Sequence, residues 1–185
     1  MARRRNHRPV DLTLRDFVTA DGDLIREWIR SPEELLIWAG PTFQWPLDED
    51  QLAAYETESA GPTRKTWTAF DPSTGDQVGH ASINLADPDV ARMGRILIDP
   101  DMRGHGWGDA LVRAVLSRAF DEMSIARIDL GVFAHNTPTV RLYQRYGFEC
   151  HTLLRNVERI GETAWDAMQM SLTRDSYDPK SRLGS

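Results

Sequence analysis

The chain has 185 residues, of which 41% are hydrophobic and 27% charged, a length and balance typical of one globular domain with a buried core. Its net charge of −6 at pH 7 argues against a general nucleic-acid binder. No apolar run approaches the ~20 residues of a membrane span. The single cysteine, Cys150, excludes an internal disulfide and fits a reducing compartment. We therefore expect a cytoplasmic protein that binds neither nucleic acid nor a membrane.

The sequence divides into one domain, over residues 10–174, and two tails. The start is basic, with Arg3, Arg4 and Arg5 in a row, and no apolar segment follows it. We therefore expect residues 1–9 to be a disordered tail and not a secretory signal. Residues 175–185 are polar and rich in turn formers, so they are expected to be a second disordered tail.

The first half of the domain predicts one strand followed by three helices. Residues 10–15 alternate apolar and polar side chains, as a half-buried strand does, and apolar residues then recur at helical spacing over 24–29. The sequence Ser-Pro-Glu-Glu at 31–34 is a helix start, and Asp48 opens a third helix with an acidic first turn. Between these two helices lies an aromatic loop, residues 39–47.

The second half predicts strands with two helices between them. A turn at 71–75 joins the first two strands, and Gly147 ends the second helix. The predicted strands are 65–70, 77–85, 91–98, 127–133, 148–157 and 163–172, and the helices are 106–120 and 137–146. The last two strands are expected to pair antiparallel. This order predicts an α/β (α+β) fold with a mixed sheet flanked by helices.

A glycine-rich loop links the strand that ends at Asp99-Pro100 to the next helix. Gly104, Gly106 and Gly108 let the backbone approach a ligand closely, and the free N–H groups of a helix N-terminus attract anions. Together these features predict a binding site for a phosphate or pyrophosphate.

Two common phosphate-binding motifs do not fit this loop. A dinucleotide fingerprint would need glycine at position 109 or 111, where the chain has Asp109 and Leu111. A Walker-type loop would need Gly-Lys-Ser/Thr, which does not occur in the sequence.

The loop and a second block of sequence resemble the two signatures of the GNAT N-acetyltransferase superfamily. Arg103-x-x-Gly106-x-Gly108 is similar to its coenzyme-binding motif. Residues 136–148 are similar to its motif Asn-x-x-Ala-x-x-Leu-Tyr-x-x-x-Gly-Phe, with Thr139 in place of the alanine. The resemblance is good over residues 75–174 and loose over 10–74. It implies a GNAT-like acyl-CoA N-acyltransferase fold, whose twisted mixed sheet splays to admit acetyl-CoA.

The resemblance also implies which residues bind the coenzyme. The backbone of Ile96, Leu97 and Ile98 would pair with the pantetheine arm like an added strand. N–H groups of the loop would hold the pyrophosphate; the loop residues are Arg103, Gly104, His105, Gly106, Trp107, Gly108 and Asp109. Asn136 would lie beside the coenzyme, although an asparagine here is also a preferred helix N-cap.

Tyr143 is the candidate catalytic residue that the resemblance implies. When an amine attacks the thioester, a backbone N–H near Leu97 or Ile98 would stabilise the oxyanion. A phenol close by can protonate the departing thiolate as a general acid. The alternative is a core aromatic residue, since Tyr143 lies at helical spacing from Val140 and Tyr146.

The general base and the acceptor pocket are less defined. Protein N-terminal acetyltransferases of this family often carry a glutamate where this chain has Gly131. His80 is an alternative base, alternating with Val78 and Ser82 along a strand, but an ordinary histidine or a water relay to a carboxylate fits equally well. Aromatic residues of the early loop either line the acceptor pocket with His80 or anchor the loop; they are Trp38, Phe43 and Trp45.

The sequence leaves the acceptor open among polyamine-like molecules, aminoglycoside-like molecules, amino acids, and protein N-termini or lysines. The five histidines show no metal-ligand spacing, so no metal is expected. A homodimer is expected by analogy with the family alone. The rival hypothesis is a non-catalytic acyl-CoA-binding sensor or regulatory module.

Overall fold

The computed structural model describes residues 10–178 of the chain. Within these residues the chain forms seven strands and five α-helices, joined by short turns. In chain order they are β1 (Thr13–Asp16), α1 (Gly22–Trp28), α2 (Pro32–Ala39), α3 (Glu49–Ser59), β2 (Arg64–Phe70), β3 (Gln77–Asp87), β4 (Val90–Ile98), α4 (Trp107–Ser117), β5 (Arg127–Phe133), α5 (Thr137–Arg145), β6 (Glu149–Ile160) and β7 (Thr163–Thr173).

The helices begin where their capping residues predict. The Ser31 hydroxyl accepts a hydrogen bond from the backbone N–H of Glu34 at 3.2 Å and caps α2. The Asp48 carboxylate accepts from the N–H of Gln51 at 2.9 Å and caps α3. After α5 the backbone reverses at Gly147, whose φ of +88° is the left-handed conformation that glycine adopts without strain.

All seven strands belong to one mixed sheet in the order β1-β2-β3-β4-β5-β7-β6. Neighbouring strands are antiparallel except β4 and β5, which are parallel. The predicted fold class and the antiparallel pairing of the last two strands are thereby confirmed. The strand order adds that β7 lies between β5 and β6.

The sheet opens between β4 and β5. Only Val90–Arg92 of β4 pairs with β5, through residues 127–129, although β4 continues to Ile98 and β5 to Phe133. Beyond this short pairing the two strands have separated, so residues 94–98 of β4 have a free edge on the side of β5. Backbone groups along such an edge need another partner.

Two hydrophobic clusters cover opposite faces of β4. The α4–α5 cluster includes Ile98, Leu111 and Tyr143, while the α1–α3 cluster includes Tyr55 and Leu97. Leu97 and Ile98 are consecutive in an extended strand, so their side chains point to opposite faces. The opening between β4 and β5 therefore has the α4–α5 cluster on one side of the sheet and the α1–α3 cluster on the other.

Two expectations from the sequence are wrong in detail. A register shift near the start of β3 turns Val78 into the α4–α5 cluster, whereas the His80 ring contacts Phe17, so the two side chains do not share a face. Residues 174–176 form a helical turn and Tyr177 packs on Phe120 at 4.9 Å, so the ordered chain extends past 174. The expected tails at 1–9 and 179–185 lie outside the described residues.

Within residues 10–178 no helix has both the length and the apolar character of a membrane span.

Candidate active site

The glycine-rich loop presents a row of backbone donors. Gly104 and Gly106 have φ of +78° and +93°, and these two left-handed residues turn the chain into the start of α4. The N–H groups from Gly104 to Asp109 donate no hydrogen bond to any residue between 10 and 178. Because the N-terminal end of the α4 dipole adds positive potential, the loop is suited to a pyrophosphate.

Helix α5 holds the first turn of α4 in place. The Tyr146 hydroxyl donates to the backbone carbonyl of Asp109 at 2.9 Å, and the Arg145 guanidinium donates to the Asp109 carboxylate at 3.2 Å. A Cβ on Gly108 would lie 3.7 Å from Leu142, which is ordinary contact between the two helices. These contacts fix α5, and Tyr143 upon it, relative to the loop.

Tyr143 lies in the α4–α5 cluster with its ring 5.6 Å from that of Phe148. Its phenol is protonated at neutral pH even at the usual pKa near 10, and burial raises that pKa further, which makes the phenol a weaker acid. Its hydroxyl makes no hydrogen bond with any other residue that the structure describes. The side chain is thus a neutral donor with its proton not engaged by the surrounding protein.

Asn136 immediately precedes α5, but its side chain does not cap the helix. Its backbone N–H donates to the carbonyl of Phe133 at 2.9 Å, and its own carbonyl accepts from Val140 at 3.0 Å. No side-chain cap hydrogen bond is present. Asn136 therefore occupies the N-cap position of α5, as its residue type suggests, and no capping bond engages its side-chain amide.

Strand β4 carries a β-bulge beside its free edge. Arg95 and Ile96 together face the single residue Ala81 on β3, and Arg95 has a φ of +54°. The indole N–H of Trp38 donates to the Arg95 carbonyl at 2.9 Å. The bulge reorients the backbone close to Leu97 and Ile98, where the sequence predicts the oxyanion donor.

An aromatic cluster lies on the α1–α3 face next to the bulge. Trp38 stacks on Phe43 at 5.5 Å, and Tyr55 meets Phe43 edge-on at 5.5 Å. The Arg95 guanidinium lies 4.9 Å from the centre of the Phe43 ring and 4.4 Å from that of Tyr55. A cavity of about 150 Å³ is lined by Thr42, Phe43, Gln51, Ala54, Tyr55, Glu58 and Arg95.

The four predicted acceptor-pocket residues lie in different positions relative to the cavity. Phe43 lines the cavity, and Trp38 supports it from behind. Trp45 is 45% exposed and does not line the cavity. His80 is fully buried beneath the cluster, with its Nε2 3.2 Å from the Tyr55 hydroxyl.

The environment of His80 makes it a weak base. Burial, and then the charge of Arg95, lower the pKa of its imidazole to about 3, so the ring is neutral at pH 7. A base of that strength is poorly matched to the proton of an attacking amine. The geometry therefore favours a positioning role toward Tyr55, and the identity of the general base stays a prediction.

A side chain at the position of Gly131 would require the exposed Arg92 side chain to move. A Cβ there would lie 2.7 Å from Nη2 of Arg92, which donates to the Gln169 side chain at 3.1 Å. A glutamate at this position would displace Arg92. The chain therefore lacks the carboxylate that some family members carry on this strand.

Arg95 and Tyr55 are the two site residues that sequence reasoning missed. An arginine before the apolar run Ile96–Ile98 gives no sign of burial, because arginine is mostly exposed in proteins. Gln51, Tyr55 and Glu58 share one helix face by their spacing. That spacing does not show that this face lies over the bulge of β4.

The fold is that of an acyl-CoA N-acyltransferase: a mixed sheet with flanking helices that opens between two parallel strands, next to a glycine-rich loop. Residues 25–148 match the model of the Acetyltransferase (GNAT) family. The chain belongs to this family, and it is an acetyl-CoA-dependent N-acetyltransferase.

Three relatives show the range of the similarity. The chain is 27% identical over 143 residues to L-amino acid N-acetyltransferase AaaT of Escherichia coli (strain K12), covering 75% of this chain and 83% of the relative. It is 23% identical over 150 residues to aminoglycoside N(6')-acetyltransferase type 1 of Klebsiella pneumoniae, covering 75% and 74%. The crystal structure of spermidine N-acetyltransferase from Vibrio cholerae in complex with CoA and spermine superposes with a TM-score of 0.78 at 19% identity, covering 90% and 98%.

No three His, Cys, Asp or Glu side chains in residues 10–178 are grouped as metal ligands. The prediction that no metal is required is not tested by this finding.

Proposed function

We propose that the chain transfers an acetyl group from acetyl-CoA directly to a primary amine of a small molecule or peptide, with Tyr143 as the general acid. The observation that carries this proposal is the buried, protonated Tyr143 on a helix that is fixed to the anion-binding loop. The relatives named above act, by their names, on an L-amino acid, an aminoglycoside and spermidine, which are all amines.

The residues present fit acetyl-CoA. Free N–H groups of residues 104–109 suit its pyrophosphate, and the unpaired edge of β4 at Ile96–Ile98 suits a pantetheine amide. The side chain of Asn136, which makes no capping hydrogen bond, is available beside the same opening. Bound there, acetyl-CoA supplies the activated thioester, and the protein positions it for attack.

Charge stabilisation and protonation of the leaving sulfur each have a matching group in the chain, whereas the proton that the attacking amine loses passes to water, because no base is assigned among residues 10–178. A backbone N–H at the bulge of β4, near Leu97, stabilises the charge that develops on the thioester oxygen. Tyr143 donates its phenolic proton to the sulfur as the carbon–sulfur bond breaks. The amine approaches from the α1–α3 face, because the loop and Tyr143 occupy the opposite one.

The first test is Tyr143→Phe, assayed by thiol release from acetyl-CoA with a panel of amines. We expect kcat to fall about 100-fold, which is the lower range for loss of a general acid. The dissociation constant of acetyl-CoA should change less than twofold, because the lost hydroxyl has no partner among residues 10–178. Tyr177→Phe, at the far contact with Phe120, is the matched control and should keep the wild-type kcat.

An unchanged kcat in Tyr143→Phe would remove the general-acid role and leave transfer by another proton donor. Tight binding of acetyl-CoA without acetylation of any amine would favour the sensor hypothesis, which no contact in the structure supports. Cytoplasmic location, a homodimer, and the absence of metal, nucleic-acid and membrane partners stay predictions.

A further inference from the structure

The guanidinium of Arg95 is buried without a counter-ion. The residue is only 8% exposed, and its Nη1 is fully buried with no hydrogen-bond partner. Between residues 10 and 178 no carboxylate lies within ion-pair distance of it. The faces of Phe43 and Tyr55 offset part of the charge, but a ring face does not replace a strong acceptor.

The other polar side chains that line the cavity are already engaged. Each has a partner that the folded chain supplies: Thr42 donates to the carbonyl of Ala39 at 3.0 Å, Gln51 accepts from the N–H of Gln44 at 2.8 Å, Glu58 pairs with Arg64 at 3.1 Å, and the Tyr55 hydroxyl meets His80 at 3.2 Å. None of them makes a hydrogen bond or ion pair with Arg95. The cavity therefore presents one unpaired buried cation.

A buried, unpaired charge destabilises the folded protein unless a ligand supplies a counter-ion. An unpaired buried ion loses its hydration without compensation, and most buried charges in proteins are paired for that reason. The cavity of about 150 Å³ has room for a small organic group, since a water molecule occupies about 30 Å³ of liquid. The arrangement fits an anion that binds the guanidinium fork.

The position of the cavity indicates which reactant carries that anion. Arg95 is itself a residue of the β4 bulge, and its side chain lies on the α1–α3 face. The anion-binding loop and Tyr143 belong to the opposite face. A group in the cavity is thus next to the backbone of β4 that is proposed to stabilise the thioester oxygen. It is also on the side from which the amine approaches.

We propose that Arg95 binds a carboxylate of the acceptor, and that the preferred acceptors are amines that also carry a carboxylate, as amino acids do. This inference rests on the proposed amine acetylation and narrows it. An unpaired arginine repels a polycation, so polyamines are poor acceptors in the same pocket.

The test compares acceptors that differ only in the carboxylate. Initial rates of thiol release are measured for the L-amino acids, for their α-amides and for spermidine, with wild type and Arg95→Met. Wild type should prefer an acid over its amide by about tenfold or more in kcat/KM, and spermidine should be a poor substrate. Arg95→Met should remove that preference, mainly by raising KM for the acids and so lowering their kcat/KM toward that of the amides.

Two further variants secure the interpretation. Arg95→Lys keeps a cation without the planar fork and should retain part of the preference. Arg127→Gln removes a surface cation that pairs with Asp129 at 2.9 Å, at the closed end of the β4–β5 pairing, and should keep the wild-type preference. Calorimetric titration with the L-amino acids measures binding separately from turnover.

The outcomes separate this inference from the proposed function. Equal acetylation of acids and amides by wild type, or an equal loss with both in Arg95→Met, would overturn the carboxylate site and leave amine acetylation standing. If no amine is acetylated, the proposed function fails. Calorimetric titration with the L-amino acids then still tests whether Arg95 binds a carboxylate. Binding of an amino acid to wild type and not to Arg95→Met upholds it, and no binding to either overturns it.

Discussion

Three neighbouring residues on the α1–α3 face of the sheet, one each from α3, β3 and β4, account for the electrostatics of the acceptor side. Arg95 supplies a buried positive charge, Tyr55 lies against it, and His80 supports Tyr55 from below. The same Arg95 charge, added to burial, keeps His80 neutral. The histidine therefore adds no second cation to the pocket.

The lowered pKa of His80 predicts a dependence of stability on pH. In the folded state its pKa is about 3, below its ordinary value of 6.5, so between these values the unfolded chain binds a proton that the folded chain does not. The free energy of unfolding should thus fall as the pH drops below 6.5, by about 2 kcal/mol from this site between pH 7 and pH 5. Denaturant unfolding of wild type and His80→Gln across this range measures the difference.

The comparison isolates His80 because all other titrating groups are common to both proteins. His151→Gln, at an exposed position of β6, should keep the wild-type dependence. Parallel stability curves for wild type and His80→Gln would show that the histidine is not held neutral by its surroundings.

At the scale of elements, the loop between β4 and α4 depends on two left-handed glycines. Gly104 has nothing within 4 Å of an added Cβ, so its side-chain position faces open space beside the free N–H groups. That is the space the pyrophosphate is proposed to occupy. A side chain there would strain the backbone and also crowd the ligand.

Gly104→Ala should weaken acetyl-CoA binding by about tenfold, if crowding of the ligand costs about 1.4 kcal/mol, and lower stability by about 1 kcal/mol. Gly75→Ala is a matched control, because Gly75 has a φ of +80°, against +78° for Gly104, and is equally open. It lies in the turn between β2 and β3, so it should lose similar stability and keep wild-type affinity. Calorimetric titration and denaturant unfolding measure both. Equal affinity of the two variants for acetyl-CoA would contradict pyrophosphate binding at this loop.

Elements with a local signal were predictable from the sequence. The strand at Arg127–Phe133 has the predicted bounds, and the caps at Ser31 and Asp48 act as their spacing indicates. Capping and alternation depend on residues close in sequence, so a single sequence carries them. The glycine-rich loop and the block at 136–148 likewise identified the family.

Features that depend on pairing between distant strands were not predictable. The bulge that contains Arg95 exists only against Ala81 on β3, and the shift that turns Val78 away from His80 exists only against β2. Asn136 takes the N-cap position that its residue type favours, but the absence of a capping bond from its side chain could not be known from the sequence. The acceptor side was therefore the part of the site least visible in the sequence.

At the scale of the whole molecule, one opening in the sheet connects the two faces. Strands β4 and β5 pair through Val90–Arg92 and then separate, with the α4–α5 cluster on one face and the α1–α3 cluster on the other. The donor is proposed to bind from one face and the amine from the other. The free edge of β4 is where the two reactants meet.

Hydrogen–deuterium exchange should detect the coenzyme at this opening. On addition of acetyl-CoA, peptides that cover residues 94–98 and 104–109 should exchange more slowly, because their unpaired N–H groups gain partners. Peptides from the β6–β7 hairpin, whose strands pair antiparallel on both sides of an irregular stretch at 155–157, should be unchanged and serve as the internal control. Uniform protection, or protection confined to the hairpin, would place the coenzyme elsewhere.

The most direct measurement is the product of the reaction itself. Purified protein is incubated with acetyl-CoA and a panel of amino acids, amino acid amides, polyamines and peptides, and mass spectrometry counts acetylated amine while a thiol reagent counts free CoA. We expect at least one amine to gain an acetyl group, with one free thiol formed for each product molecule. Thiol release without acetylated amine, or bound acetyl-CoA that is never consumed, would contradict it.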